Sequence, residues 1–313
     1  MPIIDFHCDT VAALDELGFE SELRRSSLHV DLEKLKRADV LAQFFAMFVN
    51  LEKTADPHGQ VLKLIDRFYQ ELKKNEDCLG LAVSWADAAQ LRDEGKIAAF
   101  LTVEEGGALQ GSLENLEKFY QLGVRLITLT WNYPNEIGHP HGYTGGAEKG
   151  LTAFGRQLVE AMNEKGVIID VSHLSDEGFY EVAAISKKPF VASHSNARAI
   201  MEHTRNLTDG MLQTLAAAGG ITGINFYHKF LAAAPLSRIA DIVEHIKHIR
   251  KIAGIEVIAL GSDFDGITST LEIEDMSQMP KLLDALSLAG FSSSEIEKIC
   301  WLNARRVIRD VLK

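Results

Sequence analysis

Eight short apolar runs, each followed by a longer amphipathic stretch, constrain this chain more than any other feature. They are Pro2–His7, Val40–Val49, Ile97–Glu104, Val124–Thr130, Val167–His173, Phe190–His194, Ile221–Phe226 and Val257–Asp263. Several are apolar nearly throughout, as parallel strands covered on both faces are, and do not show in–out alternation. Val40–Val49 is the one run that periodicity alone also allows as helix. Between the runs, helical spacing recurs. Gln60–Lys74 sets Val61, Leu62, Leu64, Ile65, Phe68 and Leu72 on one stripe. Ser112–Leu122 opens on a serine cap and stops before Gly123, and Thr152–Lys165 stops before Gly166. Arg238–Ile252 and Ser294–Leu312 follow the same plan. Strand and helix alternating about eight times predict an α/β fold, a single (β/α)8 TIM-type barrel.

The competing architecture is an open doubly wound sheet with a glycine-rich phosphate loop after its first strand. Here the first run leads into Cys8-Asp9-Thr10-Val11-Ala12-Ala13, which contains no glycine. That counts against a nucleotide fold. A length of 313 residues suits one barrel, and no Gly/Ser/Pro-rich linker divides the chain.

A net charge of −12 argues against nucleic acid as a partner, because phosphate binding needs clustered Lys and Arg. Pairs such as Lys187-Lys188 and Arg305-Arg306 are too short to change that. No apolar stretch reaches membrane-spanning length, so no membrane partner is expected. Cys8, Cys78 and Cys300 are odd in number and widely spaced, which gives neither a disulfide framework nor a C-x-x-C site. The first run begins almost at Met1, with no basic segment or cleavage site before it. The expectation is a cytoplasmic protein with reduced thiols.

In such a barrel, chemistry gathers where the strands end. The run ends carry His7 and Asp9, Glu104-Glu105, Trp131-Asn132, His173, His194, Asn225 and Asp263. His7 and Asp9 stand two residues apart, so a strand aims them at one point while Cys8 faces away. A single histidine at a strand end is ordinarily hydrogen-bonded filler; three of them with several carboxylates point to metal. His7, Asp9, a glutamate, His173 and His194 exceed the needs of one open tetrahedral zinc. They suit two metals sharing a carboxylate, about 3.5–4 Å apart, with a bridging hydroxide near neutral pH. The fourth run ends in Trp131 with no lysine near to serve as a carboxylated bridge, so a glutamate ending the third run must do so. Elsewhere, His245 and His248 fall among Glu244, Lys247 and Arg250, which reads as a solvated helix face. His139 and His141 sit in the long Asn132–Gly150 loop, a segment expected to form part of a site. His203, two residues before Arg205, reads as a shaper of its own loop.

With these residues assembled, the chain resembles the renal (membrane) dipeptidase family of binuclear zinc peptidases, in the manner of a soluble bacterial-type member. The matching segments run almost end to end: Asp5-Phe-His7-Cys-Asp9, Val103-Glu-Glu105-Gly-Gly107, Leu122–Thr130, Ile169-Asp-Val-Ser-His173, Ser193-His194-Ser-Asn196, Arg205-Asn206, Asn225-Phe-Tyr227, Gly261-Ser-Asp263-Phe-Asp-Gly266 and Asn303–Val307. The resemblance implies one metallo-dependent hydrolase barrel over residues 1–313 and two Zn²⁺ per chain, other divalent ions being compatible. His7 and Asp9 would hold one ion, His173 and His194 the other. Glu105, as the residue directly before the Gly-Gly pair, would bridge them and take part in catalysis. Arg205 is implied to bind the substrate carboxylate and Asp263 to carry the proton and meet the amine, with Asn132 and Tyr227 beside the substrate. Mammalian members carry a histidine where this chain has Trp131. Asn132, a loop group such as His139, or the first metal alone would take over its work. The implied activity is hydrolysis of dipeptides with free termini, L,D-dipeptides included. Another amide, lactam or lactone hydrolase on the same barrel is the alternative, and a non-enzymatic metal-stabilised binding protein a third reading. A homodimer is compatible with all of them.

Overall fold

The computed structural model describes residues 1–18, 21–145 and 150–313. All eight apolar runs are strands: β1 (Ile3–Cys8), β2 (Val40–Phe48), β4 (Ile97–Glu104), β5 (Val124–Thr128), β6 (Ile168–Asp170), β7 (Val191–Ala192), β8 (Ile221–Ile224) and β10 (Ile258–Leu260). Every pairing among them is parallel, in the order β2-β1-β10-β8-β7-β6-β5-β4. The sheet closes by β2 on β4, from Ala42↔Ala98 up to Phe48↔Glu104. The fold is therefore the expected (β/α)8 barrel. Val40–Phe48 resolves to strand because its two neighbours, β1 and β4, both offer it a ladder. Three strands have no counterpart among the runs, of which β3 (Leu79–Leu81) adds to the start of β4 outside the barrel. Two-residue strands β9 (Leu236–Ser237) and β11 (Thr270–Leu271) pair with each other at the margin.

Helices fill the crossovers; the segment read as Gln60–Lys74 begins earlier, at Pro57. Asp56 accepts from the Gly59 amide and Pro57 occupies the first turn of Pro57–Lys74; Thr152 accepts from Gly155 before Ala153–Lys165, which ends on left-handed Gly166. The last helical segment opens on a Ser292/Glu295 capping box and contains a π-turn over Lys298–Leu302.

Side chains divide into two sets by strand parity. Ile4, Phe6, Ala42, Phe44, Ala98, Phe100, Leu126, Ile168, Val191, Ile221 and Ala259 fill the barrel interior, with Phe6, Phe44 and Phe100 stacked at 4.3 and 4.6 Å. Ala304, Val307, Ile308 and Val311 from the final helix join that cluster from below, so the barrel is plugged. Leu101, Val103, Ile127 and Ile169 face the surrounding helices. Above the plug, Gly223 and Gly261 let the Ser193 carbonyl pass; a Cβ on either would collide with it.

Candidate metal centre at the barrel mouth

At the C-terminal end of β4, alternation decides which of two adjacent glutamates enters the barrel. Ala98 and Phe100 point inward, so Glu104 does too, while Glu105 follows Leu101 and Val103 outward. The Glu104 carboxylate lies between the histidines: Oε2 is 3.3 Å from His7 Nε2, and Oε1 is 3.1 Å from His173 Nε2 and 3.5 Å from His194 Nε2. Glu105 is corrected out of the centre. Its Oε1 accepts from the Gly107 amide (2.6 Å) and Asn135 Nδ2 (2.5 Å), its Oε2 from the Trp131 amide (3.0 Å). Held at φ +96°, it fastens the turn after β4 to the start of the 132–150 loop.

The other implied ligands come together. His7 Nε2 is 3.3 Å from Asp9 Oδ2 and 3.8 Å from Asp263 Oδ1. Asp9 is seated because Gly266 has no side chain; a Cβ there would run into both Asp9 and Asp263. His173 Nε2 and His194 Nε2 face each other at 3.0 Å. Three overlapping groups could each hold an ion: His7/Asp9/Glu104, Glu104/His173/His194 and His7/His194/Asp263.

Two buried aspartates organise the ligand-bearing strand ends. Asp170 accepts five hydrogen bonds, from the Thr128 hydroxyl and from the amides and hydroxyls of Ser172 and Ser193. Asp5 accepts from Gln43 Nε2, the Ser262 amide and the Ser262 hydroxyl, all at 2.8 Å. Neither was singled out from the sequence, although each precedes a ligand histidine by two or three residues.

Protonation follows from these partners. Ser193 gives its only hydroxyl proton to Asp170 (2.6 Å), so it must accept from His194 Nδ1 at 2.7 Å. His194 thus keeps its lone pair on Nε2, aimed at His173 Nε2 and Glu104. Burial, and the Arg205 cation beside them, hold both rings well below the usual histidine range, hence neutral. Burial pushes Glu104 up to about 8 and Asp263 to about 7, with the Asp9 carboxylate adding to both shifts. Both His7 nitrogens and Asp9 Oδ1 are buried with no hydrogen-bond partner among the described residues. Unpartnered imidazole nitrogens converging on buried carboxylates are satisfied by cations and by little else, so the donor set fits a pair of divalent metals.

Above the ligands opens a cavity of about 660 Å³, lined among others by Phe48, Trp131, Asn132, His141, Arg205 and Tyr227. Arg205 is buried. Its Nη1 donates to the Ser172 carbonyl and to Ser195 Oγ (3.0 Å), and its Nη2 to the His194 carbonyl (3.1 Å). It therefore also braces both ligand-bearing turns. Asp263, at φ +62°, accepts from Asn225 Nδ2 at 2.8 Å. Asn132 reaches the cavity, but its Oδ1 lies 3.1 Å from His173 Nδ1 and 3.0 Å from His141 Nε2. His139 turns to the Gly150 carbonyl (3.0 Å), while His203 accepts from the Arg205 amide (3.0 Å). His245 is not on a solvated face: it is buried, with Nδ1 accepting from the Ala197 amide (3.1 Å) and Nε2 beside the Leu231 carbonyl (2.9 Å). Residues 146–149 of the long loop lie outside the described residues.

Known proteins resemble this chain over nearly its whole length. An uncharacterized dipeptidase of Schizosaccharomyces pombe is 34% identical over 317 residues, covering 94% of this chain and 74% of the relative. Rat dipeptidase 3 is 32% identical, covering 99% of this chain and 65% of that protein. Among solved structures, a Rhodobacter sphaeroides metallo peptidase liganded with a phosphinate mimic of the dipeptide L-Ala-D-Ala superposes with a TM-score of 0.91 at 25% identity, over 99% of both chains. The metallo peptidase dipeptidase AC does so at 0.92 and 26%, over 100% of this chain and 99% of its own. The family model described as membrane dipeptidase (peptidase family M19) matches residues 1–313, and this chain belongs to that family.

Proposed function

We propose that this metallo-dipeptidase cleaves dipeptides with free termini, L,D-dipeptides included, using two zinc ions held by His7, Asp9, Glu104, His173 and His194. The observation that carries the reading is the convergence of imidazole nitrogens from His7, His173 and His194 on the single carboxylate of Glu104, those of His7 having no hydrogen-bond partner among the described residues. Three imidazoles with carboxylates are a donor set suited to zinc. A bound pair of divalent ions would supply a polarised carbonyl and a nucleophilic water at neutral pH.

The chain's own groups supply the rest. Arg205 gives the cavity a buried positive charge for the substrate carboxylate, beside Tyr227 and Lys229. Asp263 faces the centre through Oδ1 and is held through Oδ2 by Asn225, an arrangement that lets it take a proton and return it to the departing amine. Among the described residues no helix is long and apolar enough to cross a membrane. The three free cysteines support a reducing compartment.

The test is hydrolysis of an L,L and L,D dipeptide panel by zinc-reconstituted protein, beside N-acylated and C-amidated controls. The expected result is turnover that requires metal and both free termini. Turnover of lactams or lactones with inert dipeptides would replace this reading.

A further inference from the structure

We propose that Asn132 is a positioning residue for the metal ligand His173, and that His141 and Thr204 complete a relay that holds it in place. The inference rests on His173 being a metal ligand, as in the proposed function, and assigns to Asn132 a role other than substrate contact.

The relay can be followed atom by atom. The Thr204 hydroxyl lies 2.8 Å from His141 Nδ1, and His141 Nε2 lies 3.0 Å from Asn132 Oδ1. That same amide oxygen lies 3.1 Å from His173 Nδ1. An amide oxygen has two acceptor sites and no proton, so both rings must present N–H to it. His141 then accepts the Thr204 proton on Nδ1, and every donor has an acceptor. His173, protonated on Nδ1, keeps its lone pair on Nε2, 3.1 Å from Glu104 Oε1. Ser193 does the same for His194 from the other side. Outer partners of this kind fix the tautomer and orientation of a ligating histidine.

The loop itself is fastened to the ligand. The His141 amide donates to the His173 carbonyl at 2.7 Å, and Pro140 bridges to Leu174. Thr204 directly precedes Arg205, whose guanidinium holds the carbonyls of Ser172 and His194. The residues that reach the substrate and those that orient the second ion's ligands therefore share one short segment. Asn132 is exposed at the cavity mouth, so its amide needs that relay, not burial, to stay in place.

The experiment is a zinc titration against a chromophoric chelator on wild type, Asn132→Leu, Asn132→Asp and Thr204→Val, with dipeptide kcat and KM measured in parallel. In Asn132→Leu, one of two zinc equivalents should weaken about 10–100-fold and the other stay unchanged. Asn132→Asp keeps the acceptor and should restore it. Thr204→Val should give a smaller loss in the same equivalent. Two tight equivalents in Asn132→Leu with only KM raised would make Asn132 a substrate contact and overturn the inference alone. Wild type that takes up no zinc would overturn it together with the proposed function.

Discussion

The two halves of the centre are built by different means. In the His173/His194 half, both rings have an outer partner, Asn132 and Ser193, and Asp170 ties three strand ends together beneath them. In the His7/Asp9 half, the His7 ring and Asp9 Oδ1 have no hydrogen-bond partner among the described residues, and position comes from packing around Gly266 and from the backbone frame of Asp5. Hydrogen bonds fix orientation, whereas packing fixes volume and tolerates rotation. The His7/Asp9 half should therefore hold its ion less rigidly and release it first to a chelator. Glu104 belongs to both.

The largest effect that would test this division comes from the two glutamates. Glu104→Gln should lower kcat by on the order of 10³-fold and loosen both zinc equivalents, while Glu105→Gln keeps both. Metal analysis with single-turnover rates reads the difference; loss of metal in Glu105→Gln with an intact Glu104→Gln would reverse the assignment.

Next come the aspartates that frame each half. Asp170→Asn turns an acceptor of five hydrogen bonds into a mixed group, and should cost about 3 kcal/mol by thermal or urea unfolding. Asp5→Asn, with three, should cost about half that. Each should weaken the zinc equivalent of its own half. Equal losses, or the same equivalent weakened by both, would mean that the halves are not framed separately.

Gly266→Ala sharpens the contrast from the packing side. The added methyl must displace Asp9 or Asp263, at about 1–3 kcal/mol, and only the His7/Asp9 equivalent should suffer. If its zinc titration matched wild type, packing would not be what seats Asp9.

The smallest effect concerns His245, which steadies the Ala197 turn behind His194. Burial pulls it down to about 4. The folded state keeps it neutral while the unfolded chain takes up a proton below about 6.5. Its contribution is thus complete above that pH and is lost as pH falls toward 4, amounting to about 2 kcal/mol at pH 5. His245→Gln should flatten the acid limb of stability between those values; an unchanged limb would remove His245 from the frame.

Much of the fold was legible because buried parallel strands write themselves as unbroken apolar runs. Leu79-Gly-Leu81 was not, being three residues with a glycine and no pattern to detect. The ligand histidines stood out by ending runs, but the choice between Glu104 and Glu105 needed strand parity. Ala98 and Phe100 on one side and Leu101 and Val103 on the other give opposite answers only once it is known which set lines the barrel. His245 carried a readable signal, lying three residues after Ile242 and four before Ile249 on the buried stripe of its helix. The outer partnership was not readable: Asn132 and His141 share one loop, but Thr204 lies 63 residues beyond His141 and meets it only through the fold.

The aromatic plug beneath the ligands gives the barrel a floor, with Phe6, Phe44 and Phe100 stacked across it and the last helix sealing it from below. Among the described residues, a vessel closed at its base opens at its mouth, where Trp131 and Tyr227 line the cavity. A dipeptide entering by that mouth and the two amino acids leaving by it would share one path, so a product that lingers would stand in the way of the next dipeptide. Traffic through that mouth would then bear on turnover alongside bond breaking.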